Sequence, residues 1–182
     1  LKHRISISRY GDGEILLMEG YPIGFQKEDA ALARRLREIA RNPIPQHRVC
    51  IPDVFSGISS YNKESRKFWK DFLFRGNGLT LFNKYFQSGP YLNTQISRFY
   101  EHLKDKTETP QYISLWRQIF HNRHLILVEG TGSKLGFHND LFEGAASIRR
   151  IVCPAENAFN YYHAILETTL DKAKGMDLLV LI

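Results

Sequence analysis

Cysteine is scarce in this chain: Cys50 and Cys153 are the only two in 182 residues. Each sits in an apolar, strand-like run, so buried free thiols are expected and a disulfide-stapled scaffold is not. A reducing, cytoplasmic setting is the corresponding expectation. Long hydrophobic runs are missing as well. No apolar stretch approaches the ~18–20 residues that a membrane helix needs. No charged start followed by an apolar stretch and a small-residue cleavage site marks a secretory signal. The seven His are scattered without zinc spacing. No Gly-x-Ser-x-Gly or Cys/His signature marks a covalent nucleophile. Internal repeats, low-complexity stretches and linkers are lacking too. A dense basic stripe is also absent. The formal net charge of +6 is spread out, with small clusters at Arg34-Arg35-Arg37 and Arg149-Arg150. That bias suits anionic ligands such as nucleotide phosphates or lipid headgroups and gives no reason to expect nucleic acid.

What is present fits one domain with a real core. Hydrophobic residues make up 43% of the chain, and aromatics are plentiful, with 12 Phe and 9 Tyr. The chain starts at Leu1 rather than Met and ends inside the apolar run Leu178 to Ile182. Both ends are therefore expected to be cut points.

Periodicity predicts alternating strands and helices. Residues 4–9 alternate as a first strand. Ile15 to Met18 continue as a short helix or strand. Gln26 to Arg41 carries an apolar stripe at helical spacing, with Glu28 and Asp29 in its first turn and Asn42-Pro43-Ile44-Pro45 as its stop. Arg48 to Ile51 reads as a short buried strand. Tyr61 to Phe74 reads as a helix with Phe68, Trp69, Phe72 and Leu73 inward, and Arg75 to Gly78 as a turn. Residues 79–102 are aromatic and polar without a clean period. Gln111 to His121 is a helix, and His124 to Glu129 a near-continuous apolar strand of the kind covered on both faces. A helix over Asn139 to Ala146, a strand over Ile148 to Cys153, a helix over Asn157 to Lys174 and a strand over residues 177–182 complete the reading. This order predicts an α/β fold, Rossmann-like, with a mostly parallel sheet and helices on both faces.

Two stretches follow strands and carry chemistry. The first is Arg9-Tyr10-Gly11-Asp12-Gly13-Glu14. Two carboxylates one glycine apart, beside an arginine, suit a divalent metal and the phosphates it bridges. Asp-Gly is equally a common turn dipeptide, and helix N-termini favour acidic residues in any case. The second is Gly130-Thr131-Gly132-Ser133-Lys134-Leu135-Gly136. Its N–H groups could cradle a pyrophosphate, or the loop could simply be a tight strand-to-helix connection. The spacing departs from the dinucleotide fingerprint and lacks the Gly-Lys-Ser/Thr of a P-loop. Ligands of open α/β sheets bind beyond the carboxyl ends of the strands, so one sheet would place both loops on one rim. Asn139 and Asp140 could reach a ribose, a sugar or a metal, or could cap a helix. Arg98 could pair with phosphate or with Glu101. Asn157 reads as a helix cap or a ligand contact.

Six stretches taken together are more specific than any one. They are Ser8 to Glu14, Ile51-Pro52-Asp53, Ile96-Ser97-Arg98, Val128-Glu129-Gly130, Asn139-Asp140-Leu141-Phe142 and Cys153 to Ala158. In this order they resemble the GT-D type glycosyltransferase family, a domain first catalogued as of unknown function. The family occurs in bacterial glycan assembly and protein O-glycosylation.

The resemblance spans residues 1–182 as a single domain, and the family pattern continues past Ile182. It implies a Rossmann-like fold, a UDP-sugar donor such as UDP-glucose, and Mn²⁺ or Mg²⁺. Asp12 and Glu14 match the family's Asp-x-Glu and would be catalytic and metal-holding. Arg9, Gly11, Arg98, Gly130, Gly132, Asn139, Asp140 and Asn157 would contact the nucleotide-sugar. The acceptor would be a glycan or glycoprotein, and polysaccharide biosynthesis or protein glycosylation the setting. A cytoplasmic place at the inner membrane face, with peripheral association, would follow; the oligomer stays open. This chain departs from the family at Tyr10, where Phe is usual, and at Phe137-His138, where a small residue and Gly are usual. A nucleotide-binding hydrolase or phosphotransferase, and a non-catalytic nucleotide- or glycan-binding module, are the alternatives.

Overall fold

The computed structural model describes residues 5–41, 44–55, 57–86, 89–175 and 178–182. The chain divides into two compact units, Leu1–Ile23 with Lys27–Thr107, and Gly24–Gln26 with Glu108–Ile182.

The first unit opens with β1 (Ser6–Arg9), which runs into α1 (Asp12–Met18) after a two-residue break. The apolar run after the break is therefore a helix, and it begins at Asp12 rather than Ile15. The amphipathic α2 follows (Ala30–Arg41). It starts later than the pattern suggested because Asp29 stops the chain as a cap. Its Oδ1 accepts from the N–H groups of Ala31 at 2.8 Å and Leu32 at 2.9 Å. Glu28 and Asp29 thus precede the first turn. Of the expected stop signal, Asn42 and Pro43 lie outside the described residues.

Next come β2 (His47–Ile51) and α3 (Lys63–Lys70), which widens into a π-helical turn over Asp71–Arg75. Trp69 and Leu73 face inward as expected, but Phe68 is 45% exposed and does not. Asn77 adopts left-handed φ of 59° at the expected turn. The aperiodic stretch beyond it resolves into α4 (Gly78–Tyr85), β3 (Leu92–Asn93), a 3-10 turn over Thr94–Ser97 and α5 (Phe99–His102). Strands order as β1-β2-β3, all parallel, and Arg9 lies beside Cys50.

The core of this unit is aromatic, with Tyr10, Tyr61, Trp69, Phe82, Tyr85 and Phe86 around Ile15 and Met18. The Tyr10 hydroxyl, buried among these rings, donates to the Leu36 carbonyl at 2.7 Å, which satisfies it and ties the strand end to α2. Burial pushes the Tyr10 phenol well above its ordinary value.

The second unit holds α6 (Thr109–Phe120), β4 (His124–Gly130), β5 (Ser147–Cys153), α7 (Tyr162–Ala173) and β6 (Leu178–Leu181). The strands order as β5-β4-β6, again all parallel. The central β4 is the apolar run, and alternation sends its side chains to both faces. Leu125 and Leu127 pack with Phe120, Phe142 and Trp116, whereas Ile126 and Val128 pack with Ile151, Cys153 and Ile165. One face thus meets α6 and the other α7, as a parallel sheet requires. Both cysteines are buried and free, and burial raises both thiols.

Three expectations are corrected. Asn139 to Ala146 is a series of turns and bends, not a helix. His138 is left-handed at φ 55°, and the Asn139 side chain takes the Leu141 N–H at 3.1 Å, closing a turn where a helix would have continued. The helix expected from Asn157 begins as a 3-10 turn over Ala158–Tyr161 and becomes α-helical only at Tyr162. Finally, β1 and β4 belong to separate three-stranded sheets among the described residues, so a rim shared within one sheet is not the arrangement.

Candidate functional site

In the first unit the break after β1 is set by its side chains. Gly11 stands at the N-cap of α1 in extended conformation and donates its N–H to Glu14 Oε2 at 2.7 Å. This is half of a capping box: the carboxylate at the third helical position reaches back to the cap, while glycine offers no side chain in return. A Cβ on Gly11 would come within 3.3 Å of that same oxygen, so the close approach favours glycine. Asp12 begins the helix, and its carboxylate has no hydrogen-bond or ion-pair partner among the described residues. One of the two acidic groups is therefore partly spent on the fold and the other is open.

Two arginines stand near this turn. Arg9 ends β1, and the Arg9 guanidinium is held below its ordinary value, first by burial of the charge and then by repulsion from Arg98; Glu14 acts the other way. Arg9 remains protonated at any attainable pH. Arg98 follows the 3-10 turn, and its Nη1 lies 3.6 Å from Glu101 Oε2, an exposed pair of little strength. His102 belongs to the same group and was missed in the sequence. It lies four residues after Arg98, on the same helical face, and that spacing was the available signal. Burial lowers the His102 imidazole below its ordinary value, against the pull of Glu101, with Arg98 and Arg9 adding to the lowering.

The turn that delivers Arg98 carries an unusual feature. Gln95 Oε1, Ser97 Oγ and the Tyr61 hydroxyl are buried without a hydrogen-bond partner among the described residues. Tyr61 approaches both the Gln95 side chain and the Asp53 backbone, but neither contact is a well-formed bond. Unpaired buried polar atoms cost ~1–3 kcal/mol each, so folds retain them where something other than stability is at stake.

In the second unit Gly130 ends β4, and Gly132 and Gly136 take φ of 90° and 74°. A Cβ on Gly136 would fall 2.2 Å from the Phe142 ring. The loop is closed by its own contacts. The N–H groups of Thr131, Ser133 and Phe137 bond to the carbonyls of Cys153, Gly130 and Lys134. The Leu135 N–H reaches Ser133 Oγ at 3.4 Å. Glu129, nearly buried, takes Ser133 Oγ at 2.6 Å and Arg150 Nη1 at still shorter range. Hydrogen bonds from both hold the Glu129 carboxyl below its usual range despite burial.

Asn139 spends both ends of its amide locally, on the Phe137 carbonyl and the Leu141 N–H. Asp140 pairs with Arg117 Nη1 at 2.7 Å. Asn157 is left-handed at φ 52°, and its N–H bonds to the Phe25 carbonyl at 2.8 Å. Of the expected site residues, the first unit thus gathers Arg9, Gly11, Asp12, Glu14 and Arg98. Gly130, Gly132, Asn139, Asp140 and Asn157 lie in the second.

The family profile for the glycosyltransferase GT-D fold matches residues 7–182. The chain belongs to the GT-D glycosyltransferase family. It is 36% identical over its whole length to a protein named probable glycosyl transferase Gly from Streptococcus gordonii. It is 33% identical over 96% of its length to glycosyltransferase GlyD from Streptococcus pneumoniae serotype 4. The chain spans only 26% and 21% of those two relatives. Among solved structures, one described as a new glycosyltransferase from Streptococcus sanguinis superposes with a TM-score of 0.88 at 36% identity. A second, described as a domain of unknown function with a distinct glycosyltransferase fold, gives 0.87 at 40% identity. Each covers 97% of this chain, and the chain covers 66% and 63% of them. The fold expected from the sequence is thus the observed one. Among the described residues no helix is long and apolar enough to cross a membrane.

Proposed function

We propose that this domain transfers a sugar from a UDP-sugar, such as UDP-glucose, to a glycan or glycoprotein acceptor in bacterial glycan assembly, with Mn²⁺ or Mg²⁺ as cofactor. One observation carries the reading: Arg9, at the end of β1, is repelled by Arg98 and attracted by Glu14, on the turn that also carries the open carboxylate of Asp12. Two guanidinium groups repel one another, and an anion between them relieves that repulsion. A diphosphate is the natural fit, since each planar fork matches phosphate oxygens.

The acidic pair fits a divalent cation in a particular way. Among the described residues no group of three or more His, Cys, Asp or Glu could cage a metal. Mg²⁺ is ordinarily held by one or two carboxylates, with phosphates and waters completing its shell, and Mn²⁺ favours similar oxygen ligands. Asp12, with its open carboxylate, and Glu14, through the oxygen not bonded to Gly11, would hold it. When bound, the cation neutralises charge on the departing diphosphate. Arg9 and Arg98 bind that diphosphate, and their positive charge stabilises it as the glycosidic bond breaks. Gly11 lets the backbone approach closely. His102, whose imidazole is shifted toward its neutral form, adds hydrogen-bonding capacity.

Calorimetric titration of UDP with and without Mn²⁺ tests the reading. Binding that requires Mn²⁺ and weakens in Arg9→Ala is the expected result; Mn²⁺-independent or absent binding refutes it. UDP-glucose hydrolysed without transfer to any acceptor would favour the hydrolase or phosphotransferase alternative.

A further inference from the structure

The glycine loop of the second unit is braced in a manner that its backbone alone does not need. The Arg150 guanidinium is fixed by Glu129 on one side and by the Leu135 carbonyl, at 2.8 Å, on the other. So fixed, it lies over the Phe137 ring, 4.2 Å from the centroid. The backbone beneath that ring is equally constrained. Gly136 is pressed against Phe142, the Phe137 N–H bonds to the Lys134 carbonyl at 3.1 Å, and the Phe137 carbonyl takes Asn139 Nδ2 at 3.1 Å. Yet Phe137 remains 49% exposed. The cation–π contact accounts for part of this fixing, yet it leaves about half of the ring facing solvent.

From this we infer that Phe137 is an aromatic platform for a pyranose ring of the sugar acceptor, backed by Arg150. The inference rests on the glycosyltransferase reading above and adds to it a recognition element. The chemistry follows from the ring. Its face carries the negative part of the aromatic quadrupole, which attracts the weakly positive C–H bonds on one side of a pyranose. A platform held in advance spares the ordering cost of binding. His138 follows Phe137 in the chain, and Lys134 gives its carbonyl to the Phe137 N–H; both residue types carry polar groups able to meet sugar hydroxyls.

A nucleotide fits this place less well. The N–H groups of Ser133, Leu135 and Phe137 already have acceptors within the loop and that of Thr131 bonds to the Cys153 carbonyl, so these four are not free to cradle a phosphate. A neutral sugar requires no such cradle.

Saturation-transfer NMR tests the assignment, with cellobiose and diacetylchitobiose as probes and UMP as the competing ligand. Irradiation of aromatic protons should transfer to disaccharide ring protons in the unmodified chain. The transfer should fall about 5-fold in Phe137→Ala, the scale of one aromatic contact. It should persist in Phe137→Trp. Thermal melting is expected to be unchanged in both variants. Mn²⁺-dependent UDP binding, measured on the same samples, should also be unchanged, so loss of the platform and loss of the donor site are told apart. The assignment is overturned if neither disaccharide responds, if Phe137→Ala responds as strongly as the unmodified chain, or if Phe137→Trp loses the signal. Dependence of UMP binding on Phe137 would overturn it in favour of a base-stacking role.

Discussion

Two loops leave parallel strands in this chain, and their polar groups have opposite fates. After β1, Arg9 and Arg98 are close enough to repel, and Asp12 has no partner among the described residues. After β4, the charges neutralise one another, because Glu129 receives Arg150 and Ser133, while three N–H groups find acceptors inside the loop and a fourth bonds to Cys153. Both turns were candidates for phosphate in sequence, and the charged turn is the one with capacity left over. Glycine spacing reports where a backbone can bend; spare hydrogen-bonding and charge capacity reports where a ligand can sit.

The contrast is broken most forcefully at Asp12. Asp12→Asn should lower sugar transfer by about 10²–10³-fold, the usual loss when one electrostatic stabiliser of a reaction is removed. Glu14→Gln should cost less, since an amide oxygen can still accept the Gly11 N–H. Transfer from UDP-glucose, with circular dichroism as a check on folding, measures both. Loss of folded structure in both variants would assign the turn a structural role alone.

The second loop is expected to fail through stability rather than binding. Gly136→Ala combines a left-handed φ with a 2.2 Å approach to Phe142, and should lower stability by more than about 2 kcal/mol. Gly132→Ala shares the unfavourable φ but meets nothing within 4 Å, so only the strain of about 1 kcal/mol remains. Urea unfolding of the pair reads the difference, and equal losses would mean that the Phe142 contact carries no energy. A smaller effect belongs to Arg98→Ala, expected to weaken Mn²⁺-dependent UDP binding about 10-fold, the scale of one charge-assisted hydrogen bond. Unchanged affinity would remove Arg98 from the site.

How legible was all this beforehand? The apolar run 124–129 announced a strand buried on both faces, because each residue had a core to enter. The acidic turn at Asp12 and Glu14 was compatible with a helix start, but the segment after it was left open between helix and strand. The stretch at residues 139–146 misled, since its apolar residues pack from turns that Asn139 and the left-handed His138 impose. Local side-chain competition of this kind leaves little trace in periodicity. His102 was legible only through its spacing from Arg98, and the mutual repulsion of Arg9 and Arg98 not at all, because it joins residues far apart in the chain. The single-sheet argument failed for a similar reason: alternating strands and helices fix that strands run parallel, but not which strands share a ladder.

The smallest expected effect lies at Glu19, just beyond α1. Its carboxylate accepts from Lys84 Nζ at 2.6 Å and from the Tyr85 hydroxyl, joining α1 to α4, while Arg37 Nη1 bonds to the Met18 carbonyl at 2.6 Å. The Lys84 hydrogen bond, with that of Tyr85, draws the Glu19 carboxyl below its ordinary 4.5. A depressed carboxylate stabilises the fold at every pH above its unfolded value, and loses that contribution as pH falls through its folded value. Glu19→Gln should therefore melt lower than the unmodified chain by about 1–3 °C near pH 7, a partly exposed pair being worth little. The gap should hold constant down to about pH 5 and close on further acidification, with transfer activity at pH 7 untouched. A gap that widened in acid would have the wrong sign for this linkage, and loss of activity at neutral pH would extend the functional site beyond the β1 turn.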